Sequence, residues 1–300
     1  MSEKEKSSLS SNDKKVDEKM SEDNTRSYAF HIHTEEEKAM NHLEKFGFVV
    51  IEKALAKDEV KHATNLLWSD ICKLNPGLKR ENTETWNDHW FKTEGQSIAP
   101  GLLPSLAQSK GAWFVRGVPK VKKCFASIWK TSDLITSMDC VIAWRPWSRN
   151  KHWKPRTEGL HLDQNPFNKP NLETVQGMIP LRNVTSRTGG LEVVPCSHLP
   201  EAREEFKKRY PNKKFAGDWC VLTRGCPLSK KRMLVLANAG DLILWDSRTI
   251  HGGVVGTGRK LSSSSLARLS VTVCMTPKSR ASEKILKQLG LDPFFQKVIH

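Results

Sequence analysis

Beyond about residue 138 the chain advances in short apolar runs broken by Gly, Pro and Asn. The runs are Met138–Trp144, Thr174–Leu181, Leu191–Val194, Arg232–Leu236, Asp241–Trp245 and Arg268–Cys274. Stretches this short, rich in β-branched and aromatic residues and bounded by turn formers, read as strands. Several strands joined by long loops point to an all-β sandwich or barrel. The expected fold is mainly β with flanking helices packed outside a jelly-roll-like core. The chain carries no internal repeat.

The N-terminal part reads differently. Residues 1–26 hold six Lys or Arg and seven Asp or Glu with almost no large apolar side chains. Such a segment cannot bury enough surface to offset its ordering entropy, so it is expected to be a disordered polar tail. Residues 27–300 are expected to form one domain. Thr34 and Glu37 have capping-box spacing and Gly47 follows, which predicts a helix from Thr34 to the glycine. FGFVVI (46–51) reads as a strand. A second helix is expected over Lys57–Leu74, with Val60, Ala63, Leu67 and Ile71 on one face. Residues 75–130 contain Trp-rich loops (Trp86, Trp90, Trp113) and a helix after Pro119; Ser282–Leu289 also reads as helical.

Composition bounds the partners. Hydrophobic residues make up 38% of 300, with ten Trp and eleven Phe, which is enough for a substantial core. The formal net charge of +15 favours anionic partners: nucleic acid, an acidic membrane surface or acidic small molecules. No apolar run approaches the roughly 20 residues of a membrane span. The first residues lack the apolar core of a secretory signal, and the C-terminus is no peroxisomal tripeptide. An intracellular, most simply cytoplasmic, protein is expected. The seven Cys are odd in number and form no CxxC pair, so reduced thiols are expected rather than a disulfide framework or a zinc site.

Three residues carry the chemistry. His161 and Asp163 lie two apart in GLHLDQNP (159–166), and His251 follows in LWDSRTIHGG. On an extended strand, residues i and i+2 share a face, so His161 and Asp163 can point into a barrel while Leu162 packs outward. Two imidazoles and one carboxylate are the ligand set that holds non-haem Fe(II) and leaves coordination positions open. Each element taken alone has a plainer reading. His251 can be a hydrogen-bonded core histidine, His198 a capping or core residue, and His31 with His33 surface groups.

The run 268–274 alternates. Leu269, Val271 and Val273 fall on one face; Arg268, Ser270, Thr272 and Cys274 fall on the other. A buried Arg is costly unless it meets an anion, and its planar fork grips a carboxylate in bidentate fashion. Arg268 with Ser270 therefore reads as a carboxylate clamp, against the alternative of a solvent-facing edge strand. Arg259, in GTGRK (256–260), is a second possible anchor.

Taken in order, these segments resemble the phytanoyl-CoA dioxygenase-like family of Fe(II)/2-oxoglutarate-dependent oxygenases. GLHLDQNP resembles its first ligand motif. QGMIPL (176–181) and TGGLEVVPCSH (188–198) resemble its central strand pair. AGDLILWDSRTIHGG (239–253) resembles its distal-histidine strand, and ARLSVTVCMTP (267–277) its final arginine strand. The resemblance spans roughly residues 35–285. It implies a double-stranded β-helix (cupin-like), with His161, Asp163 and His251 as iron ligands. It also implies 2-oxoglutarate as co-substrate, bound by Arg268 and Ser270 with Gln176. The sequence departs from the family at the insertion Ser262–Ser265, which puts the register between His251 and Arg268 in doubt.

The substrate is less legible. RPWSRNKHWKPR (145–156) has five cations, two Trp and no acid immediately before the first ligand strand. Arg145 and Trp147, with Gln164 and Asn165 just after the second ligand, are the expected substrate-side or supporting residues. Further cations stand in KKRYPNKK (207–214) and SKKR (229–232). An anionic small molecule, hydroxylated at a C–H bond with release of succinate and CO₂, is the expected substrate. The competing expectations are a non-catalytic β-barrel binding protein and an oxygenase acting on nucleic acid.

Overall fold

The computed structural model describes residues 27–87, 90–91, 101–137, 139–215, 217–222, 225–282 and 286. The expected polar tail (1–26), the Met138 end of the first run and most of the expected Ser282–Leu289 helix lie outside these residues.

Among the described residues there are thirteen strands: β1 (Ala29–Phe30), β2 (Phe48–Ile51), β3 (Leu102–Leu103), β4 (Leu134–Thr136), β5 (Val141–Trp144), β6 (His161–Leu162), β7 (Val175–Pro180), β8 (Gly189–Val193), β9 (Cys220–Val221), β10 (Met233–Leu234), β11 (Leu242–Asp246), β12 (His251–Val255) and β13 (Arg268–Pro277). They form two sheets. The larger runs β1-β2-β11-β7-β13-β5-β3, with β4 added to the far end of β13. The smaller runs β10-β8-β12-β6-β9. Only β1 and β2 pair in parallel; the other named pairs are antiparallel. The main hydrophobic core draws on both sheets, including Val141, Ile179, Val193, Leu244 and Val271, and a smaller cluster gathers Leu160, Leu162, Val194, Phe206 and Ile250. This is the jelly-roll core expected from the spacing of the runs.

Among the described residues five α-helices flank it: α1 (Glu36–Phe46), α2 (Lys57–Leu74), α3 (Lys110–Gly117), α4 (Pro119–Trp129) and α5 (Pro200–Arg209). α1 stops at Gly47, whose φ of 81° is the left-handed conformation that glycine adopts without strain. Its start corrects the capping-box expectation. The helix begins at Glu36, because His31–Glu35 forms a turn in which the N–H groups of Thr34 and Glu35 already donate to the His31 carbonyl. α2 matches its expected bounds, and Ala63, Leu67 and Ile71 are fully buried. α5 has no counterpart in the sequence reading. Its strongly polar sequence hides all but Phe206 and Arg203 from the apolar pattern, but Pro200 sits in its first turn and Lys207, Lys208 and Arg209 in its last. That is the charge distribution a helix dipole favours.

α2 and α3 pack closely because Gly111 presents no side chain. A Cβ there would lie 2.6 Å from Leu67 Cγ and 2.9 Å from the Leu67 backbone nitrogen. Gly111→Ala is therefore expected to lower stability by about 1–3 kcal/mol, the usual cost of overpacking a filled core. A thermal denaturation curve checks this; an unchanged midpoint would show that the helices can separate freely.

No helix among the described residues is long and apolar enough to cross a membrane.

Candidate metal centre

β6 and β12 lie side by side in the smaller sheet, and His161 is the direct cross-strand partner of His251. The two rings sit 4.5 Å apart between centroids. Asp163 follows β6 and turns its carboxylate toward both. Its Oδ1 lies 3.6 Å from His161 Nε2 and its Oδ2 3.3 Å from His251 Nε2. One ligand atom from each residue falls within 4.8 Å of the others. His251 opens β12, and the glycine after it permits a close approach. A Cβ on Gly252 would stand 2.3 Å from the Gly159 carbonyl oxygen, so only glycine lets the segment before His161 approach.

The backbone fixes both imidazoles. His161 Nδ1 is 3.0 Å from the Gly159 carbonyl oxygen, and His251 Nδ1 is 2.9 Å from that of Thr249. A carbonyl can only accept, so each Nδ1 carries a proton and each Nε2 is turned toward Asp163. Burial, reinforced by the neighbouring His251, draws the His161 pKa down to about 4. The imidazole is thus neutral and basic at Nε2 near neutral pH. Burial alone would raise the Asp163 carboxyl, but hydrogen bonding to His251, the adjacent imidazoles and Gln176 hold it well below the usual carboxylate range. The set is therefore two imidazole nitrogens and one carboxylate.

Gln176, from β7 on the opposite sheet, donates from Nε2 to Asp163 Oδ2 at 2.8 Å. It orients the carboxylate across the barrel. Gln176→Leu removes that donor at similar size and is expected to weaken iron binding and turnover by roughly 10–100-fold, as losses around a metal's ligands generally do. Iron titration and succinate release check this; wild-type values for both would show that Asp163 needs no such support.

Arg268 opens β13, facing Trp144 of β5. It is only 5% exposed. Its guanidinium carbon lies 4.5 Å over the Trp144 ring, and Nη2 donates to the Met178 thioether at 3.1 Å. Nε has no partner among the described residues, and neither does the Ser270 hydroxyl on the same face. Burial lowers the arginine's pKa to about 10, so the group stays charged. A buried, charged fork whose strongest neighbour is a thioether is a costly arrangement that an anion would relieve. Arg259, the other possible anchor, stands on an exposed loop.

The residues expected near the substrate are placed otherwise. Gln164 is buried and saturated. Its amide donates to the carbonyls of Lys169 and Asn171, while its oxygen accepts from Ser247 Oγ and the Glu173 N–H. It holds the loop after the ligands and has nothing left to offer a substrate. Asn165 accepts from the Phe167 N–H and shapes the turn. Arg145 is enclosed by aromatic rings. It lies 4.8 Å over Trp153 and 5.3 Å over Trp90, and donates to the Trp86 carbonyl. Trp147 is buried edge-on against Trp144. His198 is a core residue bound to the Glu44 carbonyl, and His31 is a surface partner of Glu52.

Two aromatic residues near the metal site escaped the sequence reading. Trp245 of β11 pairs with Gln176 in register, and its ring lies 5.4 Å from that of His251. Its indole N–H is buried without a partner among the described residues, as is Gln176 Oε1. Trp219 lies 6.3 Å from His161 and is 40% exposed. The inward phase of β11 would have pointed to Trp245. Nothing local in the sequence distinguishes Trp219.

With this geometry in view, comparison with known proteins is decisive. The family described as phytanoyl-CoA dioxygenase (PhyH) matches residues 43–258, well over half of the sequence. The chain belongs to the phytanoyl-CoA dioxygenase family. It is a 2-oxoglutarate-dependent oxygenase with iron and 2-oxoglutarate as its cofactors. A curated relative in this comparison is "Ava biosynthesis cluster protein O" of Aspergillus versicolor. It is 26% identical over 257 residues, covering 80% of this chain and 78% of that protein. Among solved structures, the epimerase SnoN, in complex with Fe3+, alpha-ketoglutarate and nogalamycin RO, superposes with a TM-score of 0.53 at 17% identity. The match covers 80% of this chain and 82% of SnoN. AviO1 from Streptomyces viridochromogenes Tue57 gives a TM-score of 0.52 at 16% identity, covering 82% and 96%. At these identities the structural likenesses speak for the shared fold.

Proposed function

We propose that this phytanoyl-CoA dioxygenase family member hydroxylates a C–H bond of an anionic small molecule, with succinate and CO₂ as co-products. His161 Nε2, the Asp163 carboxylate and His251 Nε2 hold the iron, and Gln176 keeps the carboxylate turned toward it. Arg268 and Ser270 receive the far carboxylate of 2-oxoglutarate. The observation that carries this reading is the buried Arg268 guanidinium, whose Nε has no partner among the described residues, beside the equally unpartnered Ser270 hydroxyl. A barrel that bound only a protein partner through its outer face would have no reason to keep a charge there. Iron with 2-oxoglutarate supplies the two-electron oxidation by O₂. This chain's own residues bind, orient and shield the reactants.

The substrate side rests on the mouth. Lys151, Lys154 and Arg156 are exposed on the segment leading into β6, and Trp219 offers an open aromatic face beside His161. An anion with an apolar body suits that combination.

The test is anaerobic. The full chain is titrated with Fe(II) and then 2-oxoglutarate, and succinate is measured after O₂ is admitted. Stoichiometric binding of both, followed by succinate release, is the expected result. A protein that binds neither and releases none would overturn the proposal.

A further inference from the structure

At the end of the barrel away from the metal ligands, β7 leads into β8 through residues 181–188, and β12 leads into β13 through residues 256–267. His251 opens β12 and Val255 closes it, so these loops stand roughly 13 Å of strand away from the distal histidine. Between them lies a cavity of 390 Å³, within the size range of small-molecule sites. Its walls carry Arg182, Arg187 and Lys260, the Thr185 and Thr188 hydroxyls, and no carboxylate. A second cavity of 160 Å³ shares Leu181, Arg182 and Leu266 with the first and adds Arg80, again without an acid. Four cations thus border one continuous trough.

The side chains of Arg182, Arg187 and Lys260 form no hydrogen bond or ion pair among the described residues, whereas some other surface cations do. Arg149 pairs with Glu84, Lys207 with Glu204 and Arg209 with Glu205. The trough is also held in shape. Thr257 N–H donates to the Ser186 carbonyl at 3.0 Å and Gly258 N–H to the Arg187 carbonyl at 2.9 Å, which ties the two loops together. Gly189 and Gly256 allow this approach: a Cβ on Gly189 would meet the Val254 carbonyl oxygen at 2.1 Å. Thr185 and Thr188 lock the turn beneath Arg187. Unpaired guanidiniums on a braced scaffold, with no competing acid, are suited to phosphate oxygens, which arginine grips in bidentate fashion.

We infer that this trough is a second ligand site, separate from the metal centre, and that it binds a small organic phosphate bearing more than one anionic group. It stands independently of the proposed function.

The test is isothermal titration calorimetry on the iron-loaded full chain under argon. Fructose 1,6-bisphosphate is the probe, inorganic phosphate and tricarballylate are comparators, and a single-stranded RNA 20-mer is the competitor. The bisphosphate should bind more tightly than phosphate or tricarballylate. Arg182→Ala/Arg187→Ala should weaken it at least tenfold, leaving the melting temperature and 2-oxoglutarate binding unchanged. Lys230→Ala/Lys231→Ala, on a separate basic segment, and Asp163→Ala, in the metal centre, should retain wild-type affinity. Equal affinity in the Arg182→Ala/Arg187→Ala protein overturns the site. So does equal loss in Lys230→Ala/Lys231→Ala, which would mean diffuse charge, or loss in Asp163→Ala, which would put the anion on the metal. If tricarballylate binds as tightly, or if only the RNA binds and the bisphosphate cannot displace it, the organic-phosphate assignment fails.

Discussion

Asp163→Ala should lose essentially all 2-oxoglutarate turnover, by about a thousandfold or more. That exceeds the 10–100-fold expected for partners that merely orient ligands. The reason is charge as well as geometry. His161 and His251 bring imidazole nitrogens oriented by the Gly159 and Thr249 carbonyls, so Asp163 supplies the only negative charge among the three. Without it a divalent cation meets two imidazole nitrogens, and Gln176 loses its acceptor. Asp163→Asn separates these effects: it keeps an oxygen for Gln176 but not the charge, and it too should fail. Succinate release and bound iron per chain are the measurements, with the melting temperature of the iron-free proteins confirming that the fold is intact. Turnover at the wild-type rate in Asp163→Ala would sink the assignment of the triad.

How far the sequence could lead depended on whether a feature was local or required two sheets. The strand runs, the Lys57–Leu74 helix and the pairing of His161 with Asp163 are local consequences of spacing and periodicity, and all were legible. The start of α1 was not, because Thr34 and Glu35 belong to a turn closed on the His31 carbonyl and the helix begins only at Glu36. α5 was hidden because most of its surface faces water, so its sequence lacks an apolar stripe. At the site, sequence proximity to the ligands misled. Gln164 and Arg145 lie near His161 and Asp163 along the chain, but the first is consumed by four loop hydrogen bonds. The second is consumed by a cluster of tryptophans. Trp219 comes from a distant segment and reaches the metal site because β9 pairs with β6, which no local pattern encodes. Trp245 lies in the His251 motif itself, and the phase of β11, which pairs with β7, sets it beside Gln176.

Arg268→Met should move binding and stability in opposite directions. Methionine approximates the arginine's length and apolar stem and can lie against the Trp144 ring and the Met178 thioether without a charge to desolvate. In the absence of 2-oxoglutarate the wild-type guanidinium is buried with Nε unpartnered, an arrangement whose replacement by an apolar group is often neutral or stabilising. The melting temperature of the ligand-free variant is therefore expected to equal or exceed that of the wild type. Binding of 2-oxoglutarate should suffer severely, because its far carboxylate would enter a dry pocket with only Ser270 to meet it. Truncating one partner of a buried charge pair costs about 2–5 kcal/mol, which corresponds to roughly thirtyfold to a few thousandfold in affinity at 1.4 kcal/mol per decade. Iron binding should be unchanged, since Arg268 touches none of the three ligands. Arg259→Ala provides the contrast: it stands on an exposed loop and should leave 2-oxoglutarate affinity within a factor of two of the wild type. If instead Arg259→Ala weakens the co-substrate while Arg268→Met does not, the anchor belongs to the loop. The buried guanidinium would then need another anion to account for it.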